Sequence, residues 1–535
     1  MGFGRRQTLA LGVAALALGL GASLPAGASS PPTAAAGERD GRPNIIVIQA
    51  DDQTAAQFNR QVMPRTFNRL VDSGTRFSDY IATTALCCPS RASLLTGQYP
   101  HNHGVLANGG PNGGYPALID KGNVLPVWLQ QAGYNTIHLG KFLNNYWKIG
   151  NPAEVAPGWN DWQTLINKHD GYYDYGLSSN GRVVHYGNRP SDYVTSVLER
   201  KAISALKEYS PKTAPFYLQF DERAPHVERN RSGPCGGTGR YAEPAPGDQN
   251  RFRDAELPHI PSFNEKDMGD KPAFIRGSPR LDRTDQHQIT KHWRCALASL
   301  VAVDRSVARV YDEVKKEGEL GQTVFIYISD NGLFYGEHRV KTGKVLPYEE
   351  ALRQPLAIRL PERYRDGAAR IPDVGAAVGN IDLAPTILNL AKANPCPPTG
   401  ACRTMDGRSL LPLMTNQGEW PQRRAMLSEY RVPVPHRYGT CEFAAIRTRT
   451  TLYAEHYSVT DPNTHQCTTP QPPEVERYDL TSDPYELQNR CYGGNLANCP
   501  IGKSQQRLEA KLQRLRRCAG IEGRDEQVDG RPFCM

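Results

Sequence analysis

The chain has 535 residues, with 63 Lys and Arg against 55 Asp and Glu, a formal net charge of +8. Spread over this length, that surplus excludes a dedicated nucleic-acid binder, which concentrates positive charge in a patch or tail. A hydrophobic content of 39% with 8% aromatics supplies a large core and excludes global disorder.

Arg5-Arg6 precedes an apolar run from Leu9 to Leu20, and Ala26-Gly27-Ala28 fits an A-x-A cleavage site, so residues 1–28 read as a signal peptide and the protein as secreted. The arginine pair leaves both the general secretory and the twin-arginine routes open. The run is short for a bilayer and no later stretch reaches about 18 apolar residues, so no membrane span is expected. Residues 29–42, rich in Ser, Pro, Ala and Gly, read as a disordered leader. Asn44–Ile48 is a continuous apolar run, the mark of a buried parallel strand, and it delivers Asp51 and Asp52. A helical stretch follows at 62–73. Pro89 suits a first helical turn, which puts Cys87 at a helix N-terminus, where free N–H groups and the dipole favour anions. Arg91 lies one turn along on the same side.

Val124–Ala132 reads as a helix and Asn135–Leu139 as a strand ending at Gly140-Lys141. Ser191–Glu208 is helical, and Pro215–Phe220 is a strand running into Asp221-Glu222. Residues 229–285 are irregular and rich in Pro, Gly and Arg, too long for a passive connection, and are expected to form a substrate-side loop. Trp293–Lys316 is a long amphipathic helix. Thr323–Ser329 is the clearest buried strand and delivers Asp330-Asn331-Gly332; a strand at Leu356–Leu360 and a helix at Ile381–Leu390 follow. This alternation predicts an α/β sandwich with a mainly parallel sheet over 43–415. Beyond that the texture changes to short β-like runs (Ala425–Tyr430, Phe443–Arg447, Thr451–His456, Arg477–Leu480) and a basic helix, Gln505–Arg517. Residues 416–535 therefore read as a smaller α+β subdomain with an antiparallel sheet. The arginines of the closing helix read as a solvated face.

In open parallel sheets the ligand site lies outside the carboxyl ends of the strands. Two such ends carry Asp51, Asp52, Asp330 and Asn331. One Asp pair after a strand is ordinarily a turn or a cap. Two strand ends that together offer only oxygen donors favour Ca²⁺ or Mg²⁺ over zinc or copper.

Residues Leu86 to Gly97 read LCCPSRASLLTG. C-x-P-S-R followed by x-x-x-L-T-G resembles the signature of type I, formylglycine-dependent sulfatases of the alkaline phosphatase superfamily, with Cys87 as the matched cysteine. The stretch Cys87–Val105 looks similar to N-acetylglucosamine-6-sulfatases and extracellular heparan endosulfatases. Further matches follow in order: Ala50-Asp51-Asp52, Gly140-Lys141, Ala224-Pro225-His226, Ser329-Asp330-Asn331-Gly332, and Gly343-Lys344 before Tyr348-Glu349. Asp479-Leu480 with Asp483-Pro484 resembles the family's C-terminal motif.

The resemblance implies an alkaline-phosphatase-like sandwich and a hydrolase of sulfate monoesters, here of sulfated sugars such as glycosaminoglycans. It implies that a formylglycine-generating enzyme oxidises Cys87 during maturation. One hydroxyl of the formylglycine hydrate attacks sulfur, and the other loses its proton as sulfate is expelled. Ca²⁺, with Mg²⁺ as the alternative, would be held by Asp51, Asp52, Asp330, Asn331 and residue 87. Arg91 would hold the hydrate, Lys141 and Lys344 the sulfate oxygens, and His226, with a share for Lys344, would protonate the leaving oxygen. Many sulfatases have G-K-x-H, and here Leu143 stands at the histidine's place. The base for sulfate elimination is therefore open among Asn144, His101 and His103. Glu337-His338 resembles a loop of many sulfatases and is a candidate for a site role. Two other readings stand beside this one: a phosphodiesterase or phosphonate monoester hydrolase of the same superfamily, and an inactive sulfated-glycan-binding protein. The intact Cys87, Arg91 and ligand set argue against the latter.

Twelve cysteines in an exported chain predict disulfides. Local pairing gives Cys396–Cys402, Cys441–Cys467, Cys491–Cys499 and Cys518–Cys534, and leaves Cys235–Cys295 to tie down the long loop. Conversion of Cys87 leaves an odd number of thiols, with Cys88 expected to stay unpaired.

Overall fold

The Asn44–Ala50 strand is buried along its whole length and sits between Thr323–Ser329 and Phe216–Asp221, parallel to both. Phe216–Asp221 pairs in parallel with Asn135–Gly140, which pairs in parallel with Asp161–Ile166. Asn44–Ala50 and Thr323–Ser329 read as nearly continuous apolar runs because helices cover both faces. Further strands extend the sheet to ten: antiparallel Leu356–Arg359, then Thr75–Phe77 and Asp373–Val374, beyond Thr323–Ser329, and antiparallel Tyr175–Ser179 with Arg182–Tyr186 at the other edge. In this computed structural model the described residues are 41–534 apart from 149–150, 152–153, 167–170, 211, 230–234, 236–239, 416–417, 422–423, 433–438 and 462–463. The expected signal peptide, 1–28, and all but the last residues of the leader lie outside them. Among the described residues no helix is long and apolar enough to cross a membrane.

Alternation along the strands divides the core. Ile46, Ile48, Phe325 and Tyr327 face the helices Val194–Tyr209 and Arg283–Lys316. Ile45, Val47, Val324 and Ile326 face Cys87–Thr96, Leu125–Gln131 and Leu383–Ala391. Each such aliphatic side chain contributes about 1.5–3 kcal/mol on full burial. The long helix begins ten residues before the expected Trp293, at Arg283, where the Asp282 side chain accepts from the Asp285 N–H. Its polar first turns hide the amphipathic period, and the cap sets its start.

The second, antiparallel sheet comprises Met426–Arg431, Thr440–Arg447, Thr451–Thr460, Cys467–Thr468 and Glu474–Asp479. The helix Lys503–Leu515 buries Leu512 and Leu515 in a cluster with Ile446, Tyr453 and Tyr348. Of the arginines expected on a solvated face, Arg514 and Arg517 are exposed, whereas Arg516 lies 3.7 Å over the Tyr457 ring and 3.3 Å from Glu442.

All five expected disulfides form, and Cys87 and Cys88 are free and buried. Cys235–Cys295 spans 60 residues and anchors the long loop to the Arg283–Lys316 helix. The double variant Cys235→Ala/Cys295→Ala is expected to lose about 2–4 kcal/mol by relaxing the unfolded chain. An unchanged urea midpoint would count against that.

Candidate functional site

Four parallel strands end side by side, and each delivers polar residues at its carboxyl end. Asn44–Ala50 leads into Asp51 and Asp52, Thr323–Ser329 into Asp330 and Asn331, Asn135–Gly140 into Lys141, and Phe216–Asp221 ends on Asp221. Gly140 has φ +97° and a Cβ there would lie 1.8 Å from the Asp221 carbonyl oxygen, so only glycine lets the chain turn Lys141 inward. Asp52 is itself left-handed, at φ 69°. Its N–H donates to Asp330 Oδ1 at 3.0 Å and its Oδ1 accepts from Asn331 Nδ2 at 2.7 Å. These bonds offset the backbone strain of a non-glycine residue there.

Cys87 opens the helix Cys87–Thr96, as its position before Pro89 predicts, and Gly97 ends it in the left-handed conformation. The helix is pinned to the end of Thr323–Ser329 by Ser90 Oγ, which donates to the Asp330 carbonyl, and by Asn380 Nδ2, which donates to the Ser90 carbonyl at 2.9 Å. Cys87 Sγ thereby lies 3.5 Å from Asp51 Oδ1, 3.8 Å from Asp52 Oδ1 and 2.8 Å from Lys344 Nζ. Lys344 also donates to Asp52 Oδ1, and Lys141 Nζ donates to Asp51 Oδ2 at 2.6 Å. Arg91 is buried and bonds Asp330 Oδ2 through Nε at 2.9 Å and the Lys141 carbonyl through NH1 at 2.8 Å. NH1 lies 3.5 Å from Asp221 Oδ2, while NH2 has no hydrogen-bond partner among the described residues. His226 donates from Nδ1 to the Val227 carbonyl at 2.7 Å, so Nε2, 3.8 Å from Asp52 Oδ2, carries the free lone pair.

Burial drives the electrostatics. It pushes the Cys87 thiol up to about 12 despite Lys141 and Lys344, so the unmodified thiol is protonated at neutral pH. It pushes His226 down to about 4, leaving a neutral imidazole. Burial also favours a neutral Asp51, but the neighbouring Lys141, Arg91 and Lys344 charges hold its carboxyl well below the usual range. Asp330 is pushed up to about 6 by burial, with Arg91 opposing. Donor atoms of Asp51, Asp52, Cys87 and Asp330 all lie within 4.8 Å of one another. With Asn331 Oδ1 3.4 Å from Lys344 Nζ, this is a hard, oxygen-dominated set that fits Ca²⁺ or Mg²⁺. Asp221 adds a further carboxylate, so the acids outnumber the cations Arg91, Lys141 and Lys344 before any anionic substrate arrives. A divalent cation offsets that surplus.

The structure therefore brings together Asp51, Asp52, Cys87, Arg91, Lys141, His226, Asp330, Asn331 and Lys344. His101 and His103 are engaged elsewhere: His101 Nδ1 with Glu429 at 2.6 Å, His103 Nε2 with Ser93 Oγ at 3.1 Å. Leu143 packs in the apolar core, and Asn144 Oδ1 has no hydrogen-bond partner among the described residues. Sequence reasoning missed Asp221, which takes Arg91 and also accepts from His138 and from Gln219 Nε2 at 2.9 Å. The strand-end rule that found Asp51 and Asp330 would have found it.

Glu222, next along, is buried, and burial pushes its carboxyl up to about 8 from a reference of 4.5. Between those values the folded chain keeps a proton that the unfolded chain releases, so stability falls as pH rises and levels off above about 8. Glu222→Gln is expected to flatten that slope and to stabilise at mildly alkaline pH by about 1–3 kcal/mol. Urea denaturation on both sides of neutrality checks this, and an equal loss at both would refute it.

Residues 43–393 match the sulfatase family model, and 336–517 match that for the N-sulphoglucosamine sulphohydrolase C-terminal region. An arylsulfatase of Volvox carteri is 34% identical over 91% of this chain and 76% of its own length. An N-acetylglucosamine-6-sulfatase of Capra hircus is 29% identical over 92% of this chain and 87% of its own. A solved complex with the substrate D-glucosamine-2-N,6-O-disulfate superimposes with a TM-score of 0.67 at 25% identity, covering 88% of this chain and 97% of that one.

Proposed function

The chain belongs to the sulfatase family and is a sulfuric ester hydrolase, and we propose that it is secreted and removes sulfate from sulfated sugars, with formylglycine at residue 87 and Ca²⁺ held by Asp51, Asp52, Asp330 and Asn331. The observation that carries this is the position of Cys87 Sγ, 2.8 Å from Lys344 Nζ and 3.5 Å from Asp51 Oδ1 at the carboxyl end of the parallel sheet. A thiol raised to about 12 is a weak nucleophile at neutral pH, and a sulfated cysteine has no route to release sulfate; both favour a converted residue 87. The formylglycine hydrate would supply a hydroxyl nucleophile and a second hydroxyl that lets sulfate leave. Ca²⁺ would supply Lewis-acid polarisation of the sulfate oxygens.

The chain's own residues do the rest. Arg91, held by Asp330 and the Lys141 carbonyl, keeps NH2 for the hydrate oxygen. Lys141 and Lys344 would exchange their carboxylate partners for sulfate oxygens and offset charge in the transition state. Lys344 is held protonated: burial opposes its charge, but Asp52 and its neighbours outweigh that. Neutral His226 would gain its proton only beside a bound sulfate, whose negative charge raises its pKa; the pair then protonates the leaving oxygen.

The names of similar proteins favour a 6-O-sulfated glucosamine unit as substrate. Disulfides suit an oxidising compartment and a signal peptide at 1–28. We assign 43–415 as the catalytic domain and 416–535 as the C-terminal subdomain, and a formylglycine-generating enzyme as the maturation partner. A panel of sulfated mono- and oligosaccharides, run beside phosphodiesters and phosphonate monoesters, tests the reading. Sulfate release from a 6-O-sulfated glucosamine should dominate; faster phosphonate or phosphodiester hydrolysis would overturn it.

A further inference from the structure

His338 lies in the segment that joins Asn331 to Lys344, and it is fully buried. Its Nδ1 bonds Glu265 Oε2 at 2.7 Å, and its ring stacks on Tyr348 at 4.2 Å. Its Nε2 has no hydrogen-bond partner among the described residues and stands 3.7 Å from Glu350 Oε2. That separation is too long for a hydrogen bond. Glu350 accepts from Ser262 Oγ through Oε1 at 2.9 Å, and its Oε2 is likewise without a partner. Glu486, fully buried, accepts from the Glu349 N–H through Oε2 at 3.0 Å and leaves Oε1 without one.

Three side chains thus use one polar atom to fix their orientation and leave another without a hydrogen bond. One donor atom from each lies within 4.8 Å of those of the other two. This is the construction of a metal site whose ligands are oriented by an outer shell, with Glu265 on the far nitrogen of the histidine. The local charge fits. Glu349 is matched by Arg447, at 2.8 and 3.0 Å, and Glu265 by Lys271 at 3.0 Å. Glu486, buried, and Glu350, half-buried, are left without a Lys or Arg partner among the described residues, and a divalent cation would neutralise them. Glu350 and Glu349 line a cleft with Pro484 and Tyr485, which brings solvent to the Glu350 edge of the cluster.

We propose a second divalent-cation site at His338, Glu350 and Glu486, separate from the Asp51–Asp330 cluster. One imidazole with two carboxylates suits Zn²⁺ or Mn²⁺ better than Ca²⁺. The ion would tie the segment leading to Lys344 to the stretch after the Glu474–Asp479 strand, and so fix the loop from which Lys344 reaches residue 87.

The test is metal binding to the full-length protein, with Ca²⁺ kept saturating so that the first cluster is filled. After dialysis against a chelator, Ca²⁺ is restored to saturation and Zn²⁺ is then added, and bound zinc is read by elemental analysis and equilibrium dialysis. Wild type is expected to take one Zn²⁺ per chain, and His338→Gln and Glu486→Gln to weaken its binding by about tenfold or more. Should His338→Gln fail to fold, Glu350→Gln, on a less buried side chain, carries the same comparison. Absence of stoichiometric Zn²⁺ in wild type, or unchanged binding in the folded variants, overturns the proposal. Asp330→Asn, which touches only the first cluster, is expected to leave Zn²⁺ binding intact; its loss would equally overturn a separate site.

Discussion

Cys87→Ser is expected to lower turnover by about four to six orders of magnitude, as does removal of a nucleophile that acts as one unit with its neighbours. Serine is close in size to the buried cysteine, so the Asp51, Asp52 and Lys344 contacts around it should survive. A serine hydroxyl at this position can still take up sulfate, but it has no second hydroxyl to expel it. Intact-mass measurement after exposure to substrate should therefore show sulfated Cys87→Ser protein and unmodified Cys87→Ala protein. In the active wild type, peptide mass spectrometry should find formylglycine at residue 87. Finding an unmodified thiol in fully active enzyme would falsify the assignment.

Asp330→Ala is expected to remove the metal and to destabilise the fold together. Asp330 accepts from Arg91 Nε at 2.9 Å and from the Asp52 N–H at 3.0 Å, and both carboxylate and guanidinium are buried. Removing one partner of a buried pair costs about 3–5 kcal/mol, and here the lower end is expected because Asp221 stays 3.5 Å from Arg91. The same change deletes an oxygen from the proposed cation cluster and frees the left-handed Asp52 from one of its two restraints. Elemental analysis should show loss of the bound Ca²⁺, and urea denaturation a lower midpoint. Full retention of metal and activity would reject the ligand assignment. Stoichiometric zinc at this cluster in wild type would reject Ca²⁺.

Much of this protein was legible along the chain because the information is local. Asn44–Ala50 and Thr323–Ser329 are continuous apolar runs since both faces of a central parallel strand are buried, and the first polar residues after them must stand at the sheet's carboxyl edge. Pro89 marks a first helical turn, so Cys87 had to lie at the start of that helix. Even the disulfides followed from proximity in sequence, because the cysteine pairs after residue 390 are 6 to 26 residues apart.

What the sequence left undecided depends on which strand ends become neighbours. Arg91 meets Asp221 because Phe216–Asp221 inserts between Asn44–Ala50 and Asn135–Gly140, a crossover that no local pattern encodes. His101 and His103 sit close to the signature cysteine in sequence, yet Glu429 and Ser93 take their ring nitrogens. His338, Glu350 and Glu486 are brought together from segments up to 148 positions apart, and only packing places a donor atom of each within 4.8 Å of the others. Protonation states were also beyond local reading. The Cys87 thiol near 12 and the His226 imidazole near 4 are set by burial, which strips the charged form of water, and burial is a property of the folded sheet and its covering helices.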